Sequence, residues 1–209
     1  MNMDHTMTMP GMSGMTGMSH SAFALPEWAL FLLAVGFLAG TCFYLYRVLF
    51  AARIKAHYGY YDLENELGHG ICVTAMVTML SPSVLPVAPT VWIWVLGGGA
   101  VWFLVRTFTW GRKLAHTRIL WDLIHVAMLG FMALMYAGVT SLLVTVLATA
   151  FWIYFIGYAA LWAYMTRKDG QSTSFLEFGS DLAHIAMGVV MLLMTLFPSM
   201  FMPAMMMGM

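Results

Sequence analysis

The chain has 209 residues, of which 62% are hydrophobic and only 9% are charged, and its formal net charge at pH 7 is zero. A water-soluble domain normally carries about a quarter charged residues, so this composition argues against a soluble fold and predicts a protein that lies in the lipid bilayer. No run of basic residues is present, which argues against a nucleic-acid partner.

Residues 1–22 are rich in methionine, glycine, serine and threonine, and seven of the 22 methionines lie within the first 18 positions. No periodic apolar face is present, so we expect a flexible tail. Thioethers and imidazoles on such a tether suit a soft metal ion such as Cu(I). The alternative is a disordered tail without a metal role.

Six apolar segments follow within residues 23–198, and about 20 residues suffice to cross a bilayer. Their expected limits are 24–50, 62–80, 90–109, 122–137, 141–165 and 175–196. Residues 199–209 form a second Met-rich tail. The sequence therefore predicts an all-α integral membrane protein with a six-helix transmembrane domain between two tails.

The basic residues predict how this domain is oriented. All nine lysines and arginines lie at the ends of the first, third and fifth segments or in the loops that follow them. By the positive-inside rule these loops are cytoplasmic, so both Met-rich tails lie outside. An even number of spans also places both termini on one side. We expect a multi-pass protein of the bacterial plasma membrane with extracytoplasmic N and C termini.

A spaced motif, [DE]-x-x-H-x-x-[CM]-x-x-x-M-x-x-M, occurs three times, once in every second segment. The copies begin at Glu66, Asp122 and Asp181, which are 56 and 59 residues apart. Each copy lies in the apolar segment that directly follows a basic loop. The arrangement predicts three helical hairpins and is compatible with a pseudo-threefold internal repeat.

The methionine distribution supports this motif. Nine methionines lie between the two tails, and eight of them fall within the motif copies, Met165 being the exception. Methionine used as general core filler would be scattered along all six helices.

Helical geometry places the five motif positions on one face. At 100° and 1.5 Å per residue they occupy an arc of about 140° and sit about 0, 4.5, 9, 15 and 20 Å along the axis. If the three motif helices face one another, each level collects three side chains. The candidate ligands, level by level, are Glu66, Asp122 and Asp181; His69, His125 and His184; Cys72, Met128 and Met187; Met76, Met132 and Met191; Met79, Met135 and Met194.

These levels predict a copper site. Imidazole and carboxylate suit Cu(II), Zn(II) or iron, whereas thioether and thiolate suit Cu(I). The acids are expected either to bind the metal or to accept a proton from a histidine ring. The purely structural alternative has the acids capping helices, the histidines bonding a neighbouring helix and the methionines packing.

Other polar residues near the motif are weaker candidates. His57 and His116 precede motif helices and are best explained as solvated loop histidines. Asp62 and Glu177 each lie four residues before a motif acid, where Arg118 stands in the middle copy. A salt bridge explains these charged positions as well as metal binding does.

The Met-rich outer tail and the Met-x-x-x-Met steps, Met128/Met132 and Met187/Met191, resemble those of the Ctr-type copper importers. The resemblance implies Cu(I) binding by rings of methionine. Those importers have three spans per chain and assemble as trimers, whereas this chain has six and carries its repeats internally. The [DE]-x-x-H-x-x-M motif also resembles an uncharacterised bacterial membrane-protein family, associated with copper handling and with copper-dependent membrane monooxygenases.

Three functional hypotheses follow. The first is a copper-binding protein, not itself an enzyme, that acts in copper acquisition, transfer or storage, alone or with a second copy. The second, implied by the resemblance, is an accessory subunit of a copper-dependent membrane monooxygenase or oxidase. The third is an electron-transfer protein that holds b-type haem through His125 and His184.

Overall fold

The structure, a computed structural model, describes residues 24–58, 62–109, 116–139, 141–168 and 175–201. Regular structure in these ranges is entirely helical, and residues 198–201 form a last short turn. The two predicted Met-rich tails lie outside the described residues, except for positions 199–201. The helices are α1 (Glu27–Leu49), α2 (Ala51–Tyr58), α3 (Leu63–Leu80), α4 (Pro89–Thr109), α5 (His116–Tyr136), α6 (Leu142–Lys168) and α7 (Phe175–Leu196).

Five of these helices are long and apolar enough to cross a membrane: α1, α4, α5 from Ile119, α6 to Met165, and α7 from Phe178. Their outward faces expose large apolar side chains, as lipid contact requires. The chain is therefore an all-helical, multi-pass membrane protein. The exception among the long helices is α3, whose hydropathy is lowered by Glu64, Glu66 and His69.

The helix limits differ from expectation in two places. The basic segment after α1 forms a separate short helix, α2, which the apolar pattern did not predict. Helix α5 begins at His116, six residues before its expected start at Asp122. Its first three residues, His116, Thr117 and Arg118, are polar, and the apolar part of the helix begins at Ile119.

The long helices pack mainly as consecutive partners, α1 with α3, α4 with α5, and α6 with α7, and α3 also contacts α4 and α5. Helices α4 and α5 run in opposite directions, since their contacts step along the two sequences in opposite senses. These contacts are Arg106 with Asp122, Phe103 with His125, and Trp92 with Tyr136.

The three motif helices run in the same direction. Between α3 and α5, His69 contacts His125, and six residues further along α3 the Ala75 carbonyl accepts a hydrogen bond from Tyr136. Helix α1 is antiparallel to both α3 and α7. Its contacts are Arg47 with Glu66 and Gly40 with Val73 on α3, and Phe43 with Gly179 and Leu25 with Met200 on α7 and the turn that follows it.

The core is formed largely by motif residues. Helix α3 contributes the largest share, with ten of its 18 residues buried. Its acids Glu64 and Glu66 have arginine partners within the bundle, as ionisable residues of membrane helices usually do. The acidic end of each motif thus lies at one end of the bundle, and its methionines lie toward the other.

Candidate metal centre

The three motif histidines meet in the bundle. The ring centroid of His69 lies 4.5 Å from that of His125 and 4.2 Å from that of His184, and both pairs are edge to face. His69 and His125 are buried, with 5% and 0% of their surface exposed. Residues from α3, α5 and α7, which are far apart in sequence, therefore form one imidazole cluster.

Backbone hydrogen bonds fix the orientation of these rings. Nδ1 of His69 and of His125 each lies 2.8 Å from a carbonyl oxygen of its own helix. A carbonyl only accepts, so Nδ1 carries the proton and Nε2 keeps its lone pair. In all three rings the bonded backbone group lies four residues earlier: Asn65 for His69, Trp121 for His125 and Ser180 for His184.

The Nε2 atoms are consequently the donor atoms that the cluster offers. Nε2 of His69 and of His184 is buried and has no hydrogen-bond partner within the described part of the chain. Nε2 of His125 lies 3.4 Å from Nδ1 of His69. Metal-binding histidines in proteins typically show this arrangement, with the second ring nitrogen bonded to a carbonyl or carboxylate.

An aromatic ring from a neighbouring helix packs against each histidine. Tyr44 of α1 stacks on His69 with centroids 5.7 Å apart, and Phe103 of α4 stacks on His125 at 4.6 Å. Phe155 of α6 meets His184 edge-on at 6.1 Å. The repeated motif does not include these three rings, which shield the cluster from lipid.

A glycine permits the close approach of α3 and α5. A Cβ atom on Gly68 would lie 3.1 Å from Cδ2 of His125 and 3.2 Å from the ring of Phe103. Both distances are shorter than ordinary van der Waals contact. Gly68 therefore determines how near the His125 ring lies to α3.

The sulfur levels of the motif are buried with the histidines. Met79 and Met194 are 5% and 1% exposed, and Met135 packs partly buried against the same core. The remaining sulfur residues have no exposed surface: Cys72, Met76, Met128, Met132, Met187 and Met191. By contrast Met165, which lies outside the motif, is 51% exposed.

The acidic level is arranged differently from the other levels. Glu66 forms an ion pair with Arg47 at 2.5 Å. Asp122 is 1% exposed at its side chain, and its Oδ2 lies 3.3 Å from Nε of Arg106. Asp181 is half-buried on α7. Glu66 and Asp122 thus face arginines.

Arg106 is the centre of the larger ion-pair network. Its side chain is 2% exposed, and it contacts Asp62 at 2.6 Å and Glu64 as well as Asp122. Asp62 is the N-cap of α3, and its carboxylate also accepts from the backbone N–H of Asn65. Asp62 is therefore explained by its salt bridge with Arg106 and by its capping of α3, without metal binding.

Within the part of the chain that the structure describes, no three His, Cys, Asp or Glu side chains are grouped so that they could hold a metal ion as they stand. The imidazoles touch one another instead of surrounding a common point. Four weaker candidates have side chains outside the described residues: His57, His116, Arg118 and Glu177.

Comparison with protein families matches residues 61–174 to a domain of unknown function designated DUF5134. The match covers more than half of the chain. The chain belongs to the DUF5134 family. The matched region contains α3 to α6, and so includes His69 and His125 but not His184. No curated protein and no solved structure matches the chain.

Proposed function

We propose that the chain binds copper between its motif helices and acts in copper acquisition, transfer or storage. The observation that carries this proposal is the convergence of His69, His125 and His184. Within the described residues the buried Nε2 atoms of His69 and His184 have no hydrogen-bond partner. A structural histidine needs a partner on only one neighbouring helix. Three such rings with the same backbone bond are more than packing requires.

The neighbouring groups favour copper among the metals that imidazole binds. In each motif helix the next position along the shared face is a sulfur residue, namely Cys72, Met128 or Met187, and all three are buried. Thioether and thiolate sulfur prefer Cu(I), whereas sites for harder metals use oxygen ligands. The carbonyl bonds to Nδ1 hold each ring in the tautomer that a metal at Nε2 requires.

Copper binding needs a rearrangement of the cluster. The rings now touch edge to face, so they must separate before their Nε2 atoms surround an ion. Their separation would change the edge-to-face contacts between the rings, and Met128 and Met187 beside them are flexible enough to adapt to the new shape.

The haem alternative fits this packing poorly. The rings of His125 and His184 both contact that of His69. Phe103 and Phe155 cover their other sides. A macrocycle held by the two histidines would have to displace the rings of His69, Phe103 and Phe155, whereas a single ion requires only that the imidazoles separate from one another.

We further infer that α3 spans the membrane with the other five long helices, giving three hairpins with both termini outside the bacterial plasma membrane. The antiparallel contacts within α1–α3 and α4–α5 support this arrangement. The basic residues support the orientation, because in the sequence all nine lie at or near the loop that joins the two helices of a hairpin.

The decisive measurement is the copper content of the purified, copper-loaded protein, with and without His125→Ala and His184→Ala. We expect about one equivalent that each substitution removes, because three imidazoles and sulfur make a plausible single site. His57→Ala is the matched control and should retain that copper. The proposal fails if the wild type and the two motif variants hold equal amounts, since the tails alone would then account for the copper.

A further inference from the structure

A groove lies between α1 and α7 on the outside of the bundle. The two helices touch at its ends, where the ring of Phe43 packs against Gly179 and where the backbone N–H of Leu25 donates to the carbonyl of Met200. Between these contacts the groove opens as far as the buried Val73 of α3. It therefore passes between two helices of the outer layer and reaches a helix of the inner one.

The groove has the length and lining of a site for one hydrocarbon chain. Every described residue that lines it is apolar or a glycine, and its volume is about 370 Å³. Its walls run from Leu32 to Phe43 on α1 and from Gly179 to Val190 on α7, which is about 16 Å at 1.5 Å per residue. This length is close to the ~15 Å of half the hydrocarbon core, which is the reach of one lipid tail.

The cross-section of the groove also favours a slender chain over a second protein helix. Dividing the volume by the length gives a mean cross-section of about 23 Å². An α-helix about 10 Å across has a cross-section of about 80 Å², so it would rest on the rim without reaching Val73. Gly36 keeps the groove open, because a Cβ atom placed there would meet no described atom within 4 Å.

The charges at the two ends of α1 differ in sign. Arg47 lies one helical turn beyond the groove, with its guanidinium carbon 5.6 Å from the centre of the Phe43 ring. Helix α2 follows from the same end and exposes Arg53 and Lys55. The other end of α1 carries the exposed acid Glu27. A negatively charged headgroup is therefore favoured at the Arg47 end of the groove.

The acids near the basic end do not cancel this preference. Glu66 is paired with Arg47 at 2.5 Å and neutralises that arginine. Asp181 is on α7, but at 100° per residue it lies about 155° round the helix from the groove face. Arg53 and Lys55 are exposed and lie outside the Arg47 pair. Each such cation at a membrane surface strengthens the attraction of an anionic lipid by about fivefold.

We propose that the groove binds one anionic phospholipid, with an acyl chain between α1 and α7 and the phosphate at Arg53 and Lys55. Basic clefts between membrane helices are a recurring site for acidic lipid headgroups. The bound chain fills the space between the two helices and so supports α7, the helix that carries His184. The inference adds a lipid partner and does not depend on the proposed copper site.

The test measures lipid binding to purified, delipidated full-length protein by native mass spectrometry. The probes are phosphatidylglycerol and phosphatidylcholine with identical acyl chains, so that only the headgroup charge differs. We expect one phosphatidylglycerol per chain, bound at least about tenfold more tightly than phosphatidylcholine. Equal affinity for the two lipids overturns the proposal. A dimer of the chain that excludes both lipids would assign the groove to a second copy and would also overturn it.

Two substitutions that fill the groove separate this site from the general lipid surroundings. Gly36→Leu places a side chain in the open space and should abolish the tight binding of phosphatidylglycerol. Ala186→Leu fills the groove from α7 and gives the same expectation if Gly36→Leu does not fold. Gly98→Leu on α4 is the matched control, because Gly98 is exposed and a Cβ there would also meet no described atom within 4 Å. Tight binding that survives both groove substitutions contradicts the proposal.

Substitution of the cations tests the position of the headgroup. Arg53→Gln and Lys55→Gln should each weaken phosphatidylglycerol binding by about fivefold and leave phosphatidylcholine binding unchanged. Lys168→Gln, which changes an exposed lysine at the end of α6, is the matched control and should change neither affinity. Unaltered phosphatidylglycerol binding in both α2 variants overturns the assignment of the headgroup.

Thermal unfolding tests the support of α7. A ligand that binds only the folded chain raises its Tm in proportion to how tightly it binds. Phosphatidylglycerol should therefore raise the Tm of the delipidated wild type and of Gly98→Leu more than that of Gly36→Leu. An equal rise in all three proteins would show that the lipid acts elsewhere on the chain, against the proposal.

Discussion

Replacement of Arg106 by glutamine tests whether the ion-pair network holds the bundle together. The Arg106 side chain is 2% exposed, and those of Asp62 and Asp122 are 6% and 1% exposed, so water does not compensate for a lost charge. Removing one partner of a buried ion pair costs about 3–5 kcal/mol. The glutamine amide can still donate one hydrogen bond, worth about 1 kcal/mol. We therefore expect a loss of about 2–4 kcal/mol in the free energy of unfolding.

The assay is reversible unfolding in mixed micelles, followed by helical circular dichroism. Asp122→Asn in the same background completes a double-mutant cycle, and we expect a coupling energy above about 1 kcal/mol. Arg167→Gln, which removes only a cation–π contact to Phe178 at 5.2 Å, should change stability by less than about 1 kcal/mol. A loss below about 1 kcal/mol for Arg106→Gln would mean that the network behaves like a solvated surface pair, and the reasoning would be refuted.

Two further substitutions test the metal centre directly. Gly68→Ala should weaken copper retention, because its new Cβ would lie 3.1 Å from the His125 ring and displace that proposed ligand. Stability should fall little, because alanine favours a helix over glycine by about 1 kcal/mol. Gly97→Ala, whose Cβ would meet no atom within 4 Å, is the control, and equal copper retention by the two variants contradicts the role of the His125 ring. Met132→Leu nearly conserves the side-chain volume and should change stability by less than about 1.5 kcal/mol. It should lower copper affinity by about tenfold if the thioether binds the metal. Met165→Leu should change neither stability nor affinity, and an unaltered copper affinity in Met132→Leu shows that Met132 is not a ligand.

Much of the fold could be predicted from local pattern. The apolar runs and the residues that interrupt them gave all six long helices, because bilayer thickness fixes helix length. The five-position motif predicted that one face of three helices carries the chemistry, and burial of Met76, Met132 and Met191 agrees with a shared inward face. These features depend only on residues close in sequence.

The partners of the acids depend on residues far apart in sequence. Arg106 lies 44 residues from Asp62, and the charge pattern placed it at the cytoplasmic end of the third apolar segment. A count of charges gives the side of the membrane and does not identify which carboxylate an arginine will face. The sequence left metal binding and salt bridging open for Asp62, and its contact with Arg106 favours salt bridging. It did not predict an arginine beside Glu66 or Asp122.

The aromatic rings around the histidines were missed for a related reason. Tyr44, Phe103 and Phe155 lie 25, 22 and 29 residues before their histidines, by subtraction from 69, 125 and 184. Because the connecting loops differ in length, no constant offset marks these positions as part of the repeat. The chain also contains many other aromatic residues in its apolar segments, so composition does not distinguish these three.

Helix α3 joins the fold to the proposed function, because it carries the central histidine and is the long helix whose hydropathy does not by itself indicate a span. Ion pairs explain how it can cross: Arg106 and Arg47 accompany its acids, which otherwise cost about 2.5–3.5 kcal/mol each within a membrane. If α3 crosses, the segments on either side of it lie on opposite faces. Lys55 precedes it and the exposed Ser83 follows it.

We therefore predict that, on intact cells, an impermeant maleimide labels Ser83→Cys and does not label Lys55→Cys. Both changes are made in a Cys42→Ala background, because Cys42 is exposed whereas Cys72 is buried. Permeabilised cells supply the control in which both positions react. Equal labelling of the two positions on intact cells would place them on one side of the membrane. The chain would then have five spans, and α3 would enter and leave the membrane on the same side. The three motif helices would in that case not be equivalent, and the threefold argument for the metal centre would fail with the topology.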